Sequence, residues 1–258
     1  MDKEAAGRVA LITGCGSPGG IGMACAKILG REGASVAITS TTDRILRRAD
    51  ELRSLGHDAC GFIADLTERA QVAGLIDSVL GRFERIDILV NNAGMVNVGL
   101  HDFQSPTFLD MDEETWDLEI AMNLVTAFNV THRVVPQMVG RRWGRIVMVS
   151  SVTGPVATYL GSTGYGAAKA GMEGMMRGLA LELAPFGITA NAVAPGWIAT
   201  PSSSPDEAIY GRATPLGRSG AAEEVGEVVA FLSSDRASYL TGQSLVVDGG
   251  NTIQEVKR

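Results

Sequence analysis

Short apolar runs alternate with longer amphipathic stretches from one end of the chain to the other. The runs are Arg8–Ile12, Ser35–Thr39, Ala59–Ile63, Ile86–Val90, Arg145–Val149, Ile188–Val193 and Ser244–Val247. They are too short for buried helices and too uniformly apolar for strands with one wet face, so each reads as a strand covered on both sides. Between them, apolar residues recur three and four apart, as over Asp43–Leu55, Thr67–Phe83 and Val125–Val139. That is the spacing of a helix with one buried stripe. Strand and helix in alternation predict right-handed βαβ units and an α/β fold: a doubly wound, mainly parallel seven-stranded sheet with helices on both faces. No repeat or Pro/Ser linker interrupts the pattern, so residues 1–258 are expected to form a single domain. One irregular insert, rich in serine, threonine and proline, spans 200–214 and predicts a surface flap near the site.

Composition narrows the function. With 258 residues and 45% hydrophobic, the chain can build a large core without a disulfide framework. Cys15, Cys25 and Cys60 lack CxxC spacing and read as reduced thiols. His57, His101 and His132 are scattered singly, and no metal site is expected. A net charge of −7 argues against nucleic acid as the main partner. No signal-peptide pattern or membrane-length apolar stretch is visible, so the expected location is cytoplasmic, with no membrane partner.

Directly after the first run comes Thr13-Gly14-Cys15-Gly16-Ser17-Pro18-Gly19-Gly20-Ile21-Gly22, then a helix pattern. Glycines in such a turn let the backbone approach a pyrophosphate, and the helix N-terminus behind it offers free N–H groups and a favourable dipole. Farther on, Tyr165-Gly166-Ala167-Ala168-Lys169 places a phenol and an ammonium four residues apart, on one face of a helix. A ketone reduced by hydride needs a proton, which a phenol of ordinary pKa near 10 gives poorly near neutrality. A neighbouring cation is expected to bring that pKa towards the working range. Ser150-Ser151 closes the fifth run, upstream of Tyr165. A serine hydrolase would require a GxSxG elbow with a later His, and the chain has neither.

Taken in order, these segments resemble the short-chain dehydrogenase/reductase family, which implies a Rossmann-type domain. The Gly-rich turn is similar to that family's TGxxxGxG, with Gly14, Ser17, Gly20, Ile21 and Gly22 as its cofactor contacts. It departs by two extra residues, five rather than three separating Gly14 from Gly20. The resemblance further implies an adenine contact from Asp65-Leu66, and a segment lying against the cofactor in Asn91-Asn92-Ala93-Gly94. Pro195-Gly196-Trp197-Ile198-Ala199-Thr200 resembles PGxxxT, implying that Ile198 and Thr200 meet the nicotinamide carboxamide. Ser151, Tyr165, Lys169 and Asn123 match the catalytic set. Ser151 would hold the substrate oxygen, Asn123 a water near the lysine, and Lys169 the nicotinamide ribose. The family-like segments run from Arg8 to Gly250.

At the end of the second run the acidic residue that NAD enzymes use for the ribose hydroxyls is replaced by Ser40, followed by Thr41 and Thr42. These hydroxyls, the adjoining helix N-terminus and Arg44 suit a 2′-phosphate, although the arginine usual just after this strand is missing. The balance favours NADP, with NAD the alternative.

The expected reaction is interconversion of a ketone and a secondary alcohol. The substrate is expected to be a small or medium aryl or alicyclic carbonyl compound, with Met95, Val152, Thr153, Tyr159, Leu160, Trp197 and Tyr210 as pocket walls. Two alternatives stand beside it: a 3-oxoacyl carrier-protein reductase and a catalytically silent dinucleotide sensor. Carrier-protein reductases are similar to one another in docking their acidic carrier on basic residues. Arg142 lies at one such position, but Phe186 occupies the other. Retention of Ser151, Tyr165 and Lys169 argues against the sensor. The small residues following Tyr165 suit close helix packing, and the resemblance implies a homotetramer.

Overall fold

A computed structural model describes residues 4–94 and 106–255. In chain order its elements are β1 (Val9–Ile12), α1 (Ile21–Arg31), β2 (Ser35–Ser40), α2 (Arg44–Ser54), β3 (Ala59–Ile63), α3 (Arg69–Phe83) and β4 (Ile88–Asn91). Next come α4 (Glu113–Ile120), a π-helical turn (Ala121–Val125), α5 (Thr126–Arg141), β5 (Gly144–Val149) and α6 (Thr163–Leu183). The remainder comprises β6 (Ile188–Pro195), β7 (Ile198–Ala199), α7 (Pro205–Arg212), β8 (Gly220–Ala221), α8 (Ala222–Ser233) and β9 (Ser244–Val247). Single 3₁₀ turns punctuate the C-terminal third.

Seven strands form one sheet in the order β3-β2-β1-β4-β5-β6-β9, and every pairing is parallel. Successive side chains of β1 enter opposite cores: Ala10 and Ile12 pack with α1, α2 and α8, whereas Val9 and Leu11 face α3, α5 and α6. All four are buried. Burial on both faces is why these runs carry no polar alternation, each large aliphatic contributing about 1.5–3 kcal/mol.

Several boundaries differ from the sequence expectation. Arg8 stays outside β1, its guanidinium 3.6 Å from the Trp143 ring centroid. Ile86 lies outside β4 because side chains take its backbone groups: its N–H donates to Gln137, and its carbonyl accepts from Gln137 and Arg141. The 200–214 insert is not irregular throughout. It contains α7, with Pro205 at the first helical position and the Ser204 hydroxyl accepting from the Glu207 N–H at 3.2 Å. Proline there loses no helical hydrogen bond, so the composition that read as a loop also suits a helix start. The short pair β7–β8, parallel through Ile198↔Gly220 and Ala199↔Ala221, was not foreseen. Two-residue strands carry no periodicity to detect.

Candidate active site

The strand order reverses direction at β1 and β4, and in open α/β sheets the crevice at the carboxyl ends of such strands is where ligands bind. Each predicted segment emerges at that end.

The glycine turn follows β1. Gly14 has φ +73°, and a Cβ there would sit 2.8 Å from the Ala93 Cα; at Gly22 one would sit 2.6 Å from Asn92 Nδ2. Thr13, absent from the predicted contacts, ties the two loops together. Its hydroxyl accepts from the N–H groups of Asn92 and Ala93 at 3.0 and 2.9 Å and donates to the Val90 carbonyl. Asn92 Nδ2 donates to the Thr13 and Gly14 carbonyls at 2.9 and 3.1 Å. Gly20 begins α1 without a side-chain cap, which leaves first-turn N–H groups for an anion. The two extra residues carry Ser17-Pro18-Gly19 outward, and a Cβ at Gly19 would lie 3.2 Å from the Pro201 ring. The longer turn therefore meets the start of the 200–214 segment.

At the end of β2 the Ser40 hydroxyl donates to the Thr42 carbonyl at 3.1 Å, and Thr41 and Thr42 are exposed. Arg44 reaches back across the glycine turn: a Cβ at Gly16 would lie 2.6 Å from its Nε, which is buried without a hydrogen-bond partner. After β3, Asp65 Oδ1 accepts from the Thr67 N–H and hydroxyl at 2.9 and 2.6 Å, while Leu66 is buried. Along β6, the carbonyl of Pro195 accepts from the Val152 N–H, and Gly196 packs so close to Asp248 that a Cβ would sit 2.6 Å from the Asp248 Cβ. Ile198 is buried, and the Thr200 hydroxyl lies 2.9 and 3.2 Å from those of Ser202 and Ser203.

On α6, Tyr165 and Lys169 share a face, with the ammonium nitrogen 5.6 Å from the phenol ring centroid. Lys169 is buried and donates to the Val149 carbonyl at 3.0 Å. Burial brings its pKa down to about 8. Ser151 hydrogen-bonds Tyr165 and accepts from the Thr153 N–H at 3.1 Å. Ser150 instead donates to the Lys169 carbonyl at 3.4 Å. Asn123 sits fully buried in the π-helical turn, donating to the Glu119 carbonyl at 3.0 Å while its Oδ1 has no partner. Such turns often mark functional sites. A Cβ at Gly94 would fall 2.8 Å from that Oδ1 and 3.2 Å from Lys169 Nζ, so Gly94, Asn123 and Lys169 meet.

One expectation is corrected. The Tyr165 hydroxyl is not drawn towards neutrality by Lys169. Desolvation pushes it up to about 12, opposed only by the Ser151 hydrogen bond and reinforced by Tyr159 and Glu207. The ammonium lies beyond the ring, 5.6 Å from its centroid, and does not offset the burial.

Of the predicted pocket walls, Tyr159, Trp197 and Tyr210 come together, the Trp197 ring lying 6.2 and 4.9 Å from the other two centroids. Val152 and Thr153 are buried. Leu160 is 90% exposed; Met95 lies outside the described residues. Sequence reasoning missed Glu119, whose position four residues before Asn123 was a usable signal. It also missed Glu207, whose Ser204-x-x-Glu207 spacing reads only as a helix cap.

Gly154 is a sensitive point of the scaffold. Its φ is +105°, and a Cβ there would run into the Gly166 carbonyl, one residue beyond Tyr165. Gly154→Ala is expected to cost at least about 2 kcal/mol, read as a lower midpoint in chemical denaturation.

Among the described residues no helix is long and apolar enough to cross a membrane, and no group of His, Cys, Asp and Glu could hold a metal ion. Residues 14–252 match the family model described as enoyl-(acyl carrier protein) reductase. The chain is 41% identical over 261 residues to the oxidoreductase UcpA of Salmonella typhimurium, with 96% of each chain covered. It is also 41% identical over 252 residues to the 3-oxoacyl-[acyl-carrier-protein] reductase FabG of Thermotoga maritima, covering 96% of this chain and 98% of that one. Among solved structures, a putative gluconate dehydrogenase from Agrobacterium tumefaciens superposes with a TM-score of 0.88 at 31% identity, over 98% of both chains.

Proposed function

The chain belongs to the short-chain dehydrogenase/reductase family of oxidoreductases, and we propose that it interconverts a ketone and a secondary alcohol with NADP(H). In this reading one domain over 1–258 carries both cofactor and substrate, and the chain works as a cytoplasmic homotetramer. The substrate is a small or medium aryl or alicyclic carbonyl compound, set against the Tyr159, Trp197 and Tyr210 rings. What supports this best is the meeting of the Ser151 and Tyr165 hydroxyls with buried Lys169 on the same helix face.

The residues present suit a dinucleotide. The uncapped N-terminus of α1 follows the glycine turn, and Arg44 Nε is buried and unpartnered beside Gly16. Bound there, the nicotinamide supplies or accepts the hydride. The chain does the rest. Ser151 holds the carbonyl oxygen and stabilises developing charge. Tyr165, kept protonated by burial, gives its proton as an alkoxide forms. Lys169 places a cation below the tyrosine, and the free Asn123 Oδ1 is an acceptor for a water that replenishes the proton.

A carrier-protein substrate is the second reading, favoured by the FabG relatives. Against it, Arg142 is turned onto its neighbours: a nitrogen donates to the Pro185 carbonyl at 2.7 Å, and the guanidinium lies 5.9 Å from the Phe186 ring. That leaves one committed arginine where two free ones would dock an acidic carrier.

The test is titration with both cofactors, followed by an assay on ketones and alcohols. NADPH is expected to bind at least tenfold tighter than NADH, since a charge-assisted bond is worth roughly 1.5–3 kcal/mol. Arg44→Ala should erase that margin, and Ser40→Asp should reverse it. A parent protein preferring NADH would remove the case for NADP.

A further inference from the structure

Glu119, next to last in α4, is only 1% exposed, a buried carboxylate beside the catalytic groups that no step so far employs. It reaches Asn123 through its backbone and the start of α6 through its side chain. Its carbonyl accepts from the Asn123 side chain at 3.0 Å. Its side chain packs on Gly164, the buried residue directly before Tyr165. A Cβ at Gly164 would run into Glu119 Oε2 and lie 3.2 Å from its Cδ, so the carboxylate fills the space that a side chain at 164 would need. The start of α6 is not fixed by a cap of its own: the Ser162 side chain gives it none, its hydroxyl donating instead to the Tyr159 carbonyl at 2.6 Å. Gly154 closes on Gly166 as Glu119 closes on Gly164, so Tyr165 is flanked by two glycines, each pressed by another segment. The first turn of a helix is also a favourable place for a buried carboxylate, because the positive end of the dipole lies there.

We propose that Glu119 is a positioning residue for proton transfer: its side chain, wedged against Gly164, sets where α6 begins relative to the π-helical turn. It thereby fixes the Tyr165 hydroxyl with respect to Ser151 and Asn123. The reach of the side chain is what acts, and its charge is secondary. A shift of about 1 Å in a positioned group can cost a factor of about 10² in rate. The inference rests on the ketone and alcohol reading above and adds to it a residue that works through Tyr165.

The experiment compares the parent with Glu119→Gln, Glu119→Asp, Gly164→Ala and the double variant Glu119→Asp/Gly164→Ala. Each oxidises cyclohexanol, 1-indanol and 1-phenylethanol with NADP⁺ and NAD⁺, with rates taken per cofactor-binding site. Aspartate withdraws the carboxylate from Gly164 by one methylene, and the alanine methyl pushes it away. Each change should lower kcat by about 10- to 100-fold while cofactor Kd moves by less than about twofold. Glutamine keeps the reach without the charge and should lose less than about threefold. In the double variant the new methyl takes the space that the shorter side chain leaves, so kcat should exceed that of either single variant by at least about fivefold. Parent-like kcat in both Glu119→Asp and Gly164→Ala would overturn the inference. So would losses that simply multiply in the double variant, a glutamine variant as slow as the aspartate one, or a cofactor affinity that falls in step with kcat. If Gly164→Ala does not fold by circular dichroism, the comparison of aspartate with glutamine decides. A parent that oxidises none of the three alcohols with either cofactor would sink the ketone and alcohol reading, and this inference with it.

Discussion

Tyr165→Phe is expected to lower kcat by a factor of at least about 10² while the fold and cofactor affinity survive. Phenylalanine keeps the ring volume on α6 and removes only the hydroxyl that meets Ser151. The pH dependence of the parent enzyme follows from the same group. Its pKa is raised to about 12, so at neutral pH the tyrosine holds its proton. Reduction needs that proton, which stays in place until the pH nears the raised pKa. Oxidation needs the phenolate, so its rate should climb through the alkaline range while that of reduction does not. Steady-state rates in both directions, with circular dichroism of the variant, check this. A folded Tyr165→Phe protein turning over near the parent rate would overturn the mechanism.

Lys169→Met is expected to damage both steps: kcat should fall by at least about 10², and cofactor affinity should fall with it. Methionine packs in the space of the lysine stem and brings no charge. The same substitution has a readout in stability. Burial holds the folded-state pKa of Lys169 near 8 against an ordinary 10.5, so between those values the unfolded chain binds more protons and the parent gains stability as pH rises. Below about 8 the cost of burying the charge is fully present, on the order of 3 kcal/mol by the size of the shift and partly offset by the bond to the Val149 carbonyl. Methionine abolishes that titration. The difference in Tm between variant and parent should therefore move in the parent's favour from pH 7 to pH 10. A difference constant across that range would mean that Lys169 is not titrating in the folded protein.

The five inner strands of the main sheet could be read from sequence because they are buried on both faces, which leaves short apolar runs such as Val9–Ile12; the edge strands β3 and β9 are only partly buried and were legible as short runs between helix patterns. The glycine turn was legible for a related reason: at Gly14 and Gly22 a Cβ meets atoms of Ala93 and Asn92, so composition there records a close approach. Tyr165 and Lys169 were legible because a spacing of four on a helix is geometry in itself. Other features depend on chain segments far apart in sequence. The reach of Arg44 to Gly16, the tie from Thr13 to Asn92, and the meeting of Gly19 with Pro201 exist only once the sheet brings those loops to one end. The ends of β1 and β4 were set by partners that no local pattern reveals, Trp143 for Arg8 and Gln137 for Ile86. Proton affinity belongs with these. Residue types and spacing determined by themselves that a phenol and an ammonium would share a helix face. Only the tertiary structure decided that burial holds the phenol near 12 and the ammonium near 8, because desolvation is the work of every element packed around them.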